Sequence, residues 1–320
     1  MKILITGASG FIGTNLLEHL LLLGHEVLNI DSSAPRCDKH IKFWEKADIC
    51  DLTTLESLIS VFSPEFIIHL AAKTDLNEEN GIEYYNANIK GVENIIEICL
   101  KLKSLKRVIF ASSMLVNEVG YKPKDVFDYN PHTLYGKSKV MGEKLILENS
   151  SLPEFCIIRP TSIWGEWFGE PYRNFFDYVI NGKFVHPGSR ACTKTYGYIG
   201  NAVYQIEKLL FAEKEKIDRK IFYIGDRPPI NISDWADEIA SLAGLAKPKK
   251  VPFFVFSLAA FVGDLLKKLN IPFPMTSFRL KNMTTDHIVE LDNTYDVCSV
   301  PPYGREEGII RTLKWLGKLC

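Results

Sequence analysis

The chain opens on a strand that runs straight into a glycine-rich turn and then a helix. Lys2 to Thr6 is a short apolar run, Thr6-Gly7-Ala8-Ser9-Gly10-Phe11-Ile12-Gly13 follows, and Ile12, Leu16, Leu20 and Leu23 then recur on one helical face. Gly7 permits the tight turn, Gly10 lets a pyrophosphate approach the backbone, and Gly13 lets the helix pack close to the strand. The helix N-terminus adds free N–H groups and a partial positive charge, which suit phosphates. The spacing is Gly-x-x-Gly-x-x-Gly rather than the commoner Gly-x-Gly-x-x-Gly, and a ligand-free glycine turn is the competing reading.

The second strand, Glu26 to Ile30, ends at Asp31, about where an acid grips a ribose 2′-hydroxyl. A carboxylate there repels a 2′-phosphate, so NAD is expected over NADP. Arg36 argues the other way and is read as a solvated loop charge. In Ala47-Asp48-Ile49-Cys50-Asp51, Asp51 is placed to cap a helix starting at Leu52. Asp48 either shares that capping role or accepts from an adenine amino group. The third main strand, Phe66 to Leu70, ends in the small residues Ala71 and Ala72, with His69 read as a satisfied buried histidine. Ile82 to Lys103 reads as one long helix. Asn88 within it either faces solvent or holds a water or backbone group near the site. Lys106 to Ala111 and Phe155 to Arg159 complete a strict alternation of strand and helix, which argues for an α/β fold with a doubly wound parallel sheet.

Two stretches carry chemistry. Tyr135-Gly136-Lys137-Ser138-Lys139 opens a helical run to Glu148, and positions four apart share a helix face. A Lys139 ammonium beside the Tyr135 phenol favours the phenolate and lowers a pKa that is normally about 10. The pair is a candidate general base for a substrate hydroxyl; a surface Tyr–Lys pair is the plain reading. Ser112-Ser113 closes the fourth strand, either holding a substrate oxygen or merely ending the strand.

After Pro160 the alternation gives way to turns and aromatic residues. Residues 1–160 are expected to form a nucleotide-binding domain, rejoined by 197–226 through a helix, Tyr198 to Phe211, and a strand, Lys220 to Ile224. Residues 161–196 and 227–320 are expected to form a smaller C-terminal substrate-binding lobe, closed by an amphipathic helix, Arg305 to Leu316. The net charge of -1 gives no global field for nucleic acid or anionic membrane. Seven scattered cysteines without a Cys-x-x-Cys pair argue against a disulfide framework and a metal site, and fit a reducing cytosol. No signal peptide is read at Met1-Lys2-Ile3, so a cytoplasmic protein is expected. Val251 to Leu269 is strongly apolar but too short to span a bilayer. A helix packed under the lobe is favoured over one lying on a membrane surface.

Together, Thr6-Gly7-x-x-Gly10-x-x-Gly13, Asp31, Asp48-Ile49-x-Asp51, His69-Leu70-Ala71-Ala72, Asn88-x-x-Gly91, Ser112-Ser113, Tyr135-Gly136-x-Ser138-Lys139 and Arg159-Pro160-Thr161 resemble the extended short-chain dehydrogenase/reductases of the NAD-dependent epimerase/dehydratase family. Glu307-Gly308-Ile309 and Trp315 extend the match more weakly to the end. The resemblance implies a Rossmann core and Ser113, Tyr135 and Lys139 as the catalytic set. It implies an NAD site of Gly7, Gly10, Phe11, Ile12, Gly13, Asp31, Asp48, Ile49, Leu70, Ala71, Ala72, Asn88, Ser112, Tyr135, Lys139 and Pro160. It also implies a homodimer through the helices 82–103 and 135–148.

Dehydratases of the family carry Asp-Glu after the catalytic Ser or Thr, where Met114-Leu115 stands here, so 4,6-dehydration is not expected. Lys194 stands where many members have an arginine for the nucleotide diphosphate, and a lysine meets phosphate only as a point charge. The expected function is an NAD-dependent sugar-nucleotide epimerase or 4-keto reductase. Thr74, Ser113, Thr161, Ser162, Arg173, Asn174, Lys194 and Arg279 are the candidate substrate contacts. The alternatives are a reductase of an apolar sterol- or flavonoid-like alcohol or ketone, walled by Trp164, Trp167, Phe168 and Phe175, or an NAD-binding regulatory protein without turnover.

Overall fold

Strand and helix alternate from Lys2 onward: β1 (Lys2–Thr6), α1 (Phe11–Leu22), β2 (Glu26–Asp31), β3 (Trp44–Lys46), α2 (Leu52–Phe62), β4 (Phe66–His69), α3 (Ala87–Lys101), β5 (Arg107–Ala111), α4 (Leu134–Glu148) and β6 (Glu154–Pro160). The structure is a computed structural model and describes residues 1–76, 81–170, 172–188, 192–269, 271, 273 and 275–319. The chain then leaves the sheet for β7 (Ser162–Trp164), α5 (Tyr172–Ile180), β8 (Val185–Pro187), β9 (Thr193–Lys194) and β10 (Tyr196–Tyr198). It returns through α6 (Ile199–Phe211), α7 (Lys214–Ile217) and β11 (Lys220–Ile224). It ends in β12 (Ile230–Asn231), α8 (Ile232–Leu242), β13 (Lys249–Val251), α9 (Phe253–Lys268), α10 (Ser277–Thr284), α11 (Asp292–Cys298) and α12 (Arg305–Trp315).

The central sheet has seven strands in the order β11-β6-β5-β4-β1-β2-β3, and every pair is parallel. The chain winds outward from β1 to β3, then back and outward from β4 to β11. The order therefore reverses between β1 and β4, and a crevice opens outside the carboxyl ends of those strands. This is a Rossmann-type doubly wound sheet. Its strands are apolar on both faces because helices cover both. Ile3 and Ile5 pack with Leu16, Leu17 and Leu20 of α1, while Leu4 between them packs with Leu55 and Ile59 of α2 and Ile95 of α3. Each such fully buried aliphatic side chain stabilises the fold by roughly 1.5–3 kcal/mol.

Local chemistry sets the helix ends, and two differ from the sequence expectation. Gly24 adopts φ 77, which stops α1 at Leu22, so Leu23 is exposed rather than on the buried face. The expected long helix from Ile82 is instead a 3₁₀ turn, Ile82–Tyr85, followed by α3. That turn tucks the Tyr85 ring inward to 6.2 Å from the Tyr135 ring. Asp51 caps α2 as expected, accepting from the Thr54 N–H at 3.2 Å.

The lobe core is aromatic and continuous with one face of the sheet. Trp164 lies 5.6 Å from Phe176 and 5.2 Å from Trp235, ring centre to ring centre. Helix α9 departs from this pattern. It buries Phe256, Ala260 and Gly263 but exposes Phe254, Leu258, Phe261 and Leu265. The helix expected to pack under the lobe thus leaves an apolar face outward, because only its Phe256–Ala260–Gly263 side meets α10. Among the described residues, no helix is long and apolar enough to cross a membrane.

Candidate active site

The glycine turn forms one wall of the crevice. Gly7 adopts φ 80, and a Cβ there would lie 2.5 Å from the Ala71 nitrogen, so only glycine lets the β1 and β4 ends meet. A Cβ on Gly13 would lie 2.4 Å from the Gly7 oxygen, which is how α1 starts so close to its strand. A Cβ on Gly10 would meet only the Gly7 oxygen, at 3.2 Å, so one side of this residue is open. Gly10 caps α1 with no side-chain hydrogen bond, leaving the Phe11 and Ile12 amides of the first turn without a capping acceptor. Asp31, at the end of β2, accepts from the Ser9 N–H at 3.0 Å and the Ser33 N–H at 2.9 Å. These bonds hold its carboxylate beside the turn. The buried Ser112 hydroxyl at the end of β5 has no partner among the described residues. An open cradle, an uncapped helix start, a fixed carboxylate and an orphan hydroxyl at one strand edge fit a dinucleotide.

Arg36 is exposed, as expected of a loop charge, but its guanidinium is also tethered. Its Nε donates to the Ser9 carbonyl at 3.2 Å and its Nη1 to the Trp167 carbonyl at 2.6 Å, tying the glycine turn to the lobe. Asn88 does not face solvent. Its Oδ1 accepts from the Lys73 N–H at 2.7 Å, and its Nδ2 donates to the Lys73 carbonyl at 2.9 Å and to Ser138 Oγ at 2.9 Å. It thereby pins the segment after Ala72 to α4. The Asp48 carboxylate is exposed and accepts from the Cys50 N–H at 2.8 Å, while the Ile49 side chain packs where Gly91 leaves room for it. Leu70 and Ala71 hang from Thr6 through bonds to its carbonyl at 3.0 Å and its hydroxyl at 3.4 Å. Pro160 ends β6 opposite Ile224. His69 sits 2.7 Å from the Thr6 hydroxyl, and burial takes its pKa down to about 3, so it stays neutral.

Ser113, Tyr135 and Lys139 converge across the crevice. Thr133 caps α4 by accepting from the Gly136 N–H at 3.0 Å, which sets Tyr135 in the first turn. The Ser113 hydroxyl accepts from the Leu115 N–H at 3.1 Å and sits close enough to the Tyr135 phenol to favour its ionised form. Lys139 lies one turn on, its ammonium 6.0 Å from the Tyr135 ring centre and donating to the Ala111 carbonyl at 2.9 Å. The expected depression of the phenol pKa is reversed. Burial pushes Tyr135 up to about 12, the nearby Ser113 hydroxyl pulls against it, and Tyr172 and Tyr85 add to the rise. Burial lowers Lys139 to about 8, against the pull of Glu143.

Toward the lobe, the Thr161 hydroxyl donates to the Ile224 carbonyl at 2.8 Å, and Ser162 accepts from the Tyr172 hydroxyl at 3.0 Å. Lys194, partly buried, donates to the Asn282 carbonyl at 2.6 Å, and burial lowers its pKa. Thr74 is exposed and Asn174 half-buried on α5. Arg173 and Arg279 stand on exposed lobe faces rather than with the cluster. Arg173 pairs with Asp177 at 3.3 Å, and the Arg279 N–H donates to Thr276 at 3.2 Å. The sequence assigns no site role to Tyr85, Tyr172, Glu143 or Arg159, although Arg159 is part of the motif that carries the family resemblance. Glu143 follows Tyr135 and Lys139 at the same four-residue step, a signal that could have found it. Its carboxylate takes both the Arg159 Nε at 2.8 Å and an Nη at 2.7 Å, with both side chains buried.

A doubly wound sheet with a phosphate cradle facing a Ser–Tyr–Lys cluster defines a short-chain dehydrogenase/reductase. The sequence profile of the NAD dependent epimerase/dehydratase family matches residues 3–212. The chain belongs to that family, as an NAD-dependent enzyme of the extended short-chain dehydrogenase type. It is 25% identical to N-acetyl-alpha-D-glucosaminyl-diphospho-ditrans,octacis-undecaprenol 4-epimerase of Escherichia coli O157:H7, over 98% of this chain and 95% of that one. It is also 25% identical to a 3 beta-hydroxysteroid dehydrogenase/Delta 5-->4-isomerase of Mycobacterium tuberculosis, over 78% of this chain and 71% of that one. Its fold matches the UDP-glucose 4-epimerase of Thermotoga maritima, solved with UDP-glucose, with a TM-score of 0.77 and 20% identity over 99% of both chains.

Proposed function

We propose that the protein is a 4-epimerase that retains its NAD and inverts one hydroxyl of a sugar joined to a diphosphate, as in a nucleotide sugar. The observation that carries this reading is the meeting of Ser113, Tyr135 and Lys139 opposite the Gly7–Gly13 cradle. Gly7, Gly10, Phe11, Ile12 and Gly13 would hold the pyrophosphate, Asp31 one ribose, Asp48 and Ile49 the adenine end, and Leu70 to Ala72, Ser112, Pro160 and Lys139 the nicotinamide half. Bound there, the cofactor supplies a hydride acceptor and a cationic ring.

Tyr135 takes the proton of the sugar hydroxyl onto its phenol oxygen. A positive charge brought beside the phenol favours its ionised form, and the nearby Ser113 hydroxyl adds to this. Ser113 holds the reacting oxygen, and Tyr135 later returns the proton to the same atom. Buried Met114, with Leu115, stands where a dehydratase carries Asp-Glu, which disfavours a dehydratase reading of this site. Lys194 is the cation proposed for the diphosphate, with Thr74, Thr161, Ser162 and Asn174 as further substrate contacts; Arg173 and Arg279, on exposed lobe faces, are left out of the set. Trp164 and Phe168 pack into the lobe core with Phe176, which disfavours the apolar-ketone reading in which they wall a pocket. We further propose a homodimer through α3 and α4, which pack side by side and expose Leu100 and Met141. A cytoplasmic location is favoured by the six described cysteines, all free thiols.

The test is to incubate undialysed protein with UDP-glucose or UDP-N-acetylglucosamine in deuterated water and follow the sugar by NMR. Inversion at C4 without deuterium in the sugar or net NADH supports the reading. A demand for stoichiometric NADPH, or deuterium at the sugar carbon, overturns it in favour of a net reductase or a carbanion route.

A further inference from the structure

Helix α9 carries an apolar seam that no part of the described fold covers. Phe254, Leu258, Phe261 and Leu265 recur at the spacing of one helix face and are 69%, 61%, 60% and 47% exposed. Leu269, Ile271 and Phe273 extend the exposed apolar surface past the end of the helix. A contiguous patch of this kind on a soluble fold marks an interaction surface.

The packing fixes which side faces out. A Cβ on Gly263 would lie 1.7 Å from the Met275 carbonyl, so the chain after α9 crosses in direct contact with its inner face. Phe256 and Ala260 share that inner face and pack with Leu280 of α10. Rolling α9 to bury Leu258 and Phe261 would bring a side chain to the place where Gly263 has none, so the seam cannot exchange with the inner face. Asp264 is turned toward α10, accepting from the Ser277 N–H at 3.1 Å.

Lysines flank the seam at both ends. Lys249 and Lys250 stand on β13 just before the helix, Lys267 and Lys268 close it, and all four are exposed. Among the described residues none has an ion-pair partner. We infer that this face, the α9 seam with Leu269, Ile271, Phe273 and the four flanking lysines, docks the protein on an anionic lipid bilayer. An exposed apolar helix face of this kind lies in the headgroup plane with its side chains among the acyl chains, and the lysines at its ends meet anionic headgroups. A second copy of the chain fits less well. Because both ends of α9 are basic, a parallel or an antiparallel pairing of two copies sets lysine against lysine.

The docked face bears on the site. Helix α10 packs on α9, and its Asn282 carbonyl accepts from Lys194 while Lys281 pairs with Glu118 at 3.0 Å in the segment after Ser113. Docking through α9 would therefore bring the substrate side of the crevice near the bilayer, where a sugar diphosphate carried on a lipid could be presented.

The test floats the full-length protein with phosphatidylglycerol–phosphatidylcholine vesicles and, in parallel, with phosphatidylcholine alone, at low and high salt. The protein is expected to float with the anionic vesicles and to release as salt rises. The triple variant Phe254→Ser, Leu258→Ser, Phe261→Ser is expected to lose at least about tenfold in affinity. Its melting temperature should hold, since the three side chains are exposed. Lys267→Gln with Lys268→Gln is expected to lose roughly thirtyfold on anionic vesicles, from about fivefold per lysine. Wild-type protein left unbound at low salt overturns the inference. So does a concentration-dependent dimer, seen by sedimentation, that the triple variant dissolves, because the face is then a contact between copies. Vesicle binding needs no sugar, so the result stands apart from the epimerase reading.

Discussion

Gly136 follows Tyr135 directly and touches the segment that carries Ser113. A Cβ added there would lie 2.2 Å from the Leu115 carbonyl oxygen, inside any real contact. Relief takes a shift of about 1 Å between α4 and residues 113–115, because both contacting groups are backbone. Two effects compete in Gly136→Ala. Alanine is favoured over glycine inside a helix by roughly 0.5–1 kcal/mol. Overpacking against a rigid backbone costs about 1–3 kcal/mol. The clash wins, and the melting temperature should fall by about 3–6 °C.

The larger consequence is kinetic. The Leu115 N–H donates to Ser113 Oγ at 3.1 Å, so the same shift moves Ser113 relative to the Tyr135 phenol. A misplacement of about 1 Å at reacting groups costs on the order of 100-fold in rate. The assay is kcat of the NAD-loaded protein beside a thermal melt, with the exposed Lys137→Ala as a same-helix control. A variant with turnover within about twofold of wild type and an unchanged melt would show that this contact does not set the Ser113–Tyr135 geometry.

Tyr135→Phe removes the proposed proton acceptor and keeps the ring; turnover should fall by at least about 100-fold while released NAD, measured by mass spectrometry, stays at the wild-type level. Asn88→Ala strips the partners from the Lys73 peptide and from Ser138, which should destabilise the protein by about 3–5 kcal/mol in chemical denaturation and weaken NAD retention. His69 sets a pH dependence. Its pKa falls from 6.5 to about 3 on folding, so the stability it contributes is complete above 6.5 and is lost as pH falls toward about 3. The full loss amounts to about 5 kcal/mol. Between about pH 6.5 and 4 the melting temperature of His69→Gln should fall less steeply than that of wild type; parallel curves would mean the imidazole is not buried neutral.

The central sheet was legible because its strands are buried on both faces and its helices keep an apolar stripe, so periodicity alone separates them. The meeting of Ser113 with Tyr135 was legible for a related reason. Parallel strands bring every carboxyl end to one edge, so residues far apart in sequence share a crevice. What stayed hidden depends on contacts between distant segments. The Asn88 side chain faces the protein because Lys73 offers it a whole peptide group, and Arg36 is held because Trp167 turns its carbonyl back from the lobe. A nearby ammonium alone would lower the Tyr135 phenol pKa, but burial acts the other way. At a side chain only 8% exposed, desolvation is the larger effect, and the pKa rises.

The buried Glu143–Arg159 pair explains how Lys139 keeps its charge available in so dry a place. Tyr135, Lys139 and Glu143 occupy successive turns of one face of α4, and an unpaired Glu143 would draw the ammonium toward itself and away from the crevice. Arg159 prevents this by filling the Glu143 carboxylate through two parallel bonds, and is itself held by the Val126 carbonyl at 2.8 Å and the Tyr223 hydroxyl at 3.1 Å. A buried ion pair is poor evidence of added stability, since desolvation offsets much of its attraction. Its role here is directional. Among the described residues Lys139 has no carboxylate in ion-pair reach, so it donates to the Ala111 carbonyl at the end of β5. An ammonium has three donors, and two remain for a ligand. With a pKa of about 8 the group is still charged near neutrality, yet close enough to titration that its charge is lost as pH rises through that value. The ion pair one turn below thus sets where Lys139 points, and burial sets over which pH range it can act.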